Sequence, residues 1–77
     1  MVPMREKRTN LKYVVLALQE CQDFLDNGYL VRFSSYSKDF LFIKLKHQTN
    51  GNEIIIKSSN LMMSITKNGK VVKTTSF

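Results

Sequence analysis

The chain has 77 residues, 43% hydrophobic and 23% charged, which suits one small domain with a modest core and excludes wholesale disorder. A single cysteine excludes an intrachain disulfide, and one Cys with one His offers no cluster for a structural metal or any cofactor motif. Twelve Lys+Arg against six Asp+Glu give a net charge of +6, a basic bias that favours anionic partners.

Residues 1–9 (MVPMREKRT) are polar and basic, carry the only proline, and read as a flexible arm ahead of a single domain over 10–77. The apolar run 13–18 that follows stops at Gln19-Glu20 with no small-residue cleavage site. It also falls well short of the roughly 18 apolar residues a membrane-spanning helix needs. A cytoplasmic protein with no membrane partner is expected. From Leu11 the apolar residues Leu11, Val14, Val15, Leu18, Cys21 and Leu25 recur at helical spacing, with Tyr13, Ala17 and Phe24 widening one edge. Asn10 or Thr9 suits the N-cap, and Asn27-Gly28 supplies a left-handed stop, so a helix is expected over about 10–27.

After Gly28 the period changes from 3.6 to 2. Tyr29, Val31 and Phe33 alternate with Leu30 and Arg32, residues 34–38 read as a polar loop, and 39–48 as a second strand. Asn50-Gly51 ahead of 53–57, and Asn68-Gly69 between 61–66 and 70–74, are signatures of two-residue hairpins with φ > 0. The fold expected is α+β: one N-terminal helix packed on an antiparallel sheet of about four strands, α-β-β-β-β.

If Asn50-Gly51 are the loop residues, Leu45 opposes Ile56, Ile43 opposes Ser58 and His47 opposes Ile54, all facing the helix with Leu41. The outer face then carries Phe40, Phe42, Lys44, Lys46, Ile55 and Lys57, with Lys44 across from Lys57 and Lys46 across from Ile55. In the second hairpin Ile65 opposes Val72 and Met63 opposes Thr74 inside. Ser64, Thr66, Val71, Lys73 and Thr75 point out, Lys67 and Lys70 flank the turn, and Leu30 and Arg32 join the same side. Like charges set opposite each other cost on the order of 0.2–1 kcal/mol, so a face with this many cations suggests an anionic ligand. Cations interleaved with rings are what sheets use to hold single-stranded nucleic acid, the cations on phosphates and the rings on bases. Lysines kept for solubility are the simpler reading, and Phe42 and Ile55 fit it least.

The expected function is therefore non-enzymatic binding of nucleic acid or a nucleoprotein through Arg32, Phe42, Lys44, Lys46, Ile55, Lys57 and Lys73, with Arg5, Lys7 and Arg8 as tail contacts. The alternative is a protein–protein inhibitor or assembly factor anchored by Phe40, Phe42, Ile55, Met62 and Val71, a surface that also suits a homodimer. A third reading is a toxin-like ribonuclease using His47 with nearby lysines, but no second acid or nucleophile completes that site. Glu20, Asp23 and Asp26 read as a solvated helix face.

Over residues 18–59 the chain resembles small phage-encoded anti-CRISPR inhibitors of Cas9. The likeness lies in Tyr29-Leu30-Val31-Arg32-Phe33-Ser34, Phe42-Ile43-Lys44-Leu45 and Asn50-Gly51-Asn52-Glu53-Ile54-Ile55-Ile56 following a short helix. It implies a phage-sized α+β scaffold that binds and blocks something; a nucleoprotein partner, with a host or CRISPR nuclease as one candidate, would be blocked by occlusion. That family is acidic and mimics nucleic acid, whereas this chain is basic and ends in another hairpin, so no functional residue carries over.

Overall fold

The computed structural model describes residues 12–37 and 40–77. The arm with Arg5, Lys7 and Arg8, the cap candidates Thr9 and Asn10, and Leu11, Lys38 and Asp39 lie outside the described residues. One helix, α1 (Lys12–Asp26), precedes β1 (Tyr29–Ser37), β2 (Phe40–His47), β3 (Glu53–Ser59), β4 (Met62–Lys67) and β5 (Lys70–Ser76). The strands lie side by side in chain order, each antiparallel to the next. The fold is α+β as expected, with five strands in place of about four.

The helix buries Tyr13, Ala17 and Cys21, one turn apart on a single line, with Val14 and Phe24 at the margins. Beneath them lie Leu41, Ile43, Leu45, Ile54, Ile56, Met63 and Ile65, the inward residues of β2, β3 and β4. Fully burying one such side chain stabilises the fold by about 1.5–3 kcal/mol. Val15, Leu18 and Leu25, expected on the core stripe, are instead exposed. The small side chains of Ala17 and Cys21 let the helix approach the sheet closely, so what appeared to be the edge of the stripe became its centre. Ser58, fully buried, donates its hydroxyl to the Tyr13 carbonyl at 3.0 Å, a satisfied polar tie between β3 and the first turn of α1.

The second two-residue hairpin forms as expected, with Asn68 at φ 52° and Gly69 at φ 87°. The first does not. Only Gly51 takes positive φ (76°), and the loop spans residues 48–51, closed by the His47 N–H donating to the Asn52 carbonyl at 2.8 Å. The cause is local. His47 Nδ1 accepts the N–H groups of Thr49 (3.2 Å) and Asn50 (3.3 Å), and Asn50 Oδ1 accepts the N–H of Asn52 (2.9 Å). That set of bonds holds a longer turn than the dipeptide alone favours. The register therefore shifts by two residues: Leu45 opposes Ile54, Ile43 opposes Ile56, Lys44 opposes Ile55 and Phe42 opposes Lys57. An even shift leaves every side chain on its expected face, so the faces stand while the pairs change. Lys44 and Lys57 are not opposed, and Lys46 faces Glu53.

Two bulges alter faces outright. In β1, Val31 opposes Leu45 and Phe33 opposes Lys44, leaving Arg32 as the extra residue and turning Phe33 outward. The strand then continues through Ser37, where a loop was expected, because Ser34, Ser35 and Tyr36 pair with Ile43, Phe42 and Leu41. In β5, Thr66 opposes Val71 but Ile65 opposes Lys73, which makes Val72 the extra residue. Lys73 and Thr75 consequently project on the helix side and Thr74 outward, the reverse of expectation.

Candidate functional site

On the open face of the sheet, the register aligns side chains in rows across the strands. Phe33, Lys44, Ile55, Thr66 and Val71 form one row across all five strands. Ser35, Phe42, Lys57, Ser64 and Thr74 form the next. Leu30, Lys46 and Glu53 lie toward the 48–51 loop, and Phe40 with Ser59 toward the other end. Successive outward residues of β2, namely Lys46, Lys44, Phe42 and Phe40, stand about 6.6–6.8 Å apart.

The Phe33 and Phe42 rings meet edge to face, with centroids 6.0 Å apart and planes at 67°. Phe33 is 56% exposed and Phe40 40%, values that a core role does not explain. The edge-to-face pair props Phe33 up without covering it. Around the rings stand four cations, Arg32, Lys44, Lys46 and Lys57, against one carboxylate, Glu53, among the described residues of this face. Lys44 pairs with Glu53 at 3.3 Å, and both are solvated enough that the pair contributes no more than about 1 kcal/mol. Arg32, Lys46 and Lys57 have no ion pair among the described residues.

Six of the seven residues expected to bind the partner thus share the outer face. The exception is Lys73, which the Val72 bulge delivers to the helix side, where its ammonium pairs with Glu20 of α1. Lys67, opposite the core residue Ile54, and Lys70, opposite Lys67, also lie off the outer face. Phe33 was missed: alternation assigned it to the core, and no residue in β1 announces the bulge that reverses it. Arg32 keeps its outward position because it is itself the extra residue.

His47 is occupied structurally at both ring nitrogens. Nε2–H donates to the Asn27 carbonyl at 3.1 Å, while Nδ1 accepts from Thr49 and Asn50 and lies 3.1 Å from the Thr49 hydroxyl. The ring also packs edge to face on Tyr29, with centroids 4.8 Å apart. It joins the end of α1 to the β2–β3 loop. Next to that loop, Leu30, Arg32, Lys46, Gln48, Thr49 and Gly51 surround an open depression of about 450 Å³.

No described helix is long and apolar enough to cross a membrane. Comparison with protein-family models, curated proteins and solved structures finds no significant match, so the functional reading rests on this geometry.

Proposed function

We propose that this chain is a non-enzymatic binding module for single-stranded nucleic acid, engaged through the outer face of its sheet. The observation that carries the reading is the pair of rings formed by exposed Phe33 and half-buried Phe42, set among three cations, Arg32, Lys46 and Lys57, that have no ion pair among the described residues. Rings stack on unpaired bases, contributing about 1–3 kcal/mol each, and the cations displace counterions from phosphates. Lys44 lies between the two terms, held by Glu53 until a phosphate competes for it. The hydroxyls of Ser35, Ser64, Thr66 and Thr74 line the same rows and supply further hydrogen bonds.

Fluorescence anisotropy with single-stranded RNA, single-stranded DNA and duplex DNA tests the reading. Single strands should bind more tightly than duplex, because a stacked duplex hides the base faces, and Phe33→Ala should weaken binding about tenfold. Equal binding of duplex and single strand, or a neutral Phe33→Ala, overturns the stacking role. Absence of any binding moves the search to a protein or nucleoprotein target. In that case Phe40, Phe42, Ile55, Met62 and Val71, all on this face by register, would be the anchors of an occluding inhibitor.

A further inference from the structure

The geometry points to the depression between Leu30, Arg32, Lys46 and the 48–51 loop as a subsite for a phosphomonoester, the terminal phosphate of a single strand lying on the ring-bearing face. This inference rests on the nucleic-acid reading above and specifies where the strand ends.

Position is the first ground. Phe40, Phe42 and Phe33 lie on the side of Lys44 away from the loop or level with it, and among the described residues no outward ring follows toward the loop. The row at that end is Leu30, Lys46 and Glu53, so base stacking ends where the depression begins. A strand that has used the rings arrives there with a backbone group and nothing further to stack on.

Charge is the second. Arg32 and Lys46 come from adjoining strands, line the same depression, and have no ion pair among the described residues. The bulge at Arg32 brings the guanidinium there; bulges commonly re-aim a side chain in this way. No carboxylate lines the depression among the described residues. Glu53, across Lys46 on β3, is turned to Lys44 and sets a negative boundary on that side, so an anion is favoured on the β1 side alone. An internal phosphodiester carries one charge, whereas a phosphomonoester carries about 1.5–2 at pH 7 and offers three acceptor oxygens. A guanidinium fork beside an ammonium suits the second better than the first.

Shape is the third. A volume of about 450 Å³ falls within the range of small-ligand sites. The loop forming one wall is not loose: the His47 bonds to Thr49 and Asn50, and the Gln48 N–H donating to the Gly28 carbonyl at 3.0 Å, fix it to the end of α1.

The test compares one single-stranded sequence, labelled internally, with a 5′-phosphate, a 3′-phosphate or hydroxyl groups at both ends, with inorganic phosphate as a separate competitor. One phosphorylated form should bind about tenfold more tightly than the hydroxyl form, as charge-assisted hydrogen bonds to two cations imply. The double variant Arg32→Gln, Lys46→Gln should bind all three forms alike. Millimolar inorganic phosphate should erase the phosphorylated strand's advantage and leave the hydroxyl form bound. Equal affinities for all three forms on the unaltered protein would overturn the subsite while leaving the face as a binding surface. Binding of none would overturn both. Inorganic phosphate binding as tightly as the phosphorylated strand would assign the depression to a free anion and overturn the strand-end role.

Discussion

Replacing Gly28 by alanine probes the link between the helix end and the loop that borders the candidate site. Gly28 sits at φ 94°, where a side chain costs about 1–2 kcal/mol. A β-carbon there would also lie 2.8 Å from His47 Nε2 and 3.3 Å from Cε1, closer than van der Waals contact allows. The imidazole must then move, losing its bond to the Asn27 carbonyl and loosening the Nδ1 contacts to Thr49 and Asn50, together about another 1–2 kcal/mol. Gly28→Ala should therefore destabilise the fold by about 2–4 kcal/mol, a large share of the roughly 4–12 kcal/mol expected for a chain of this length. In a His47→Ala background the ring is gone, and the same substitution should cost only its backbone share. Urea unfolding followed by circular dichroism measures all four corners of the cycle, with the m-value checked for constancy. A coupling below about 0.5 kcal/mol, or a Gly28→Ala cost of that size, would refute the reasoning.

Further expectations separate the two faces and the core. Lys57→Glu should weaken single-strand binding about tenfold near 150 mM salt, while Lys73→Glu, on the helix side, should change it less than threefold; equal losses would mean that net charge and not position governs binding. Ser58→Ala should cost about 1 kcal/mol in urea unfolding, because the Tyr13 carbonyl loses a buried donor. A neutral result would remove the tie between β3 and α1. Burial pushes the Cys21 thiol pKa up, so the native chain holds its proton longer than the unfolded one. Stability should fall as pH rises above about 8.5, where the unfolded thiol ionises first, and Cys21→Ser should flatten that fall. Reaction with a disulfide reagent should likewise be slow until the chain unfolds.

The helix, the strand runs and the inward set Leu41, Ile43, Leu45, Ile54 and Ile56 were legible because alternation and helical spacing are written in the side chains themselves. Asn68-Gly69 made its hairpin and Asn50-Gly51 did not, although the dipeptides are the same. The difference is His47, whose ring nitrogen collects two loop N–H groups, a contact that local turn preference does not encode. The resulting slip was harmless to the site because it was even. The bulges at Arg32 and Val72 were not harmless, since each inserts one residue and exchanges the faces beyond it. They added Phe33 to the outer surface and removed Lys73 from it. Neither bulge has a glycine to mark it, and each is fixed by pairing with β2 or β4, so strand alternation alone pointed the wrong way.

The most direct test is the salt dependence of single-strand affinity for the unaltered protein. Three or four phosphates held by Arg32, Lys44, Lys46 and Lys57 predict that log K falls against log salt with a slope of about −2 to −3. Substituting both Lys46 and Lys57 by glutamine should reduce the magnitude of that slope by about 1.4. A slope near zero, or one that the double substitution leaves unchanged, would contradict a phosphate-binding face.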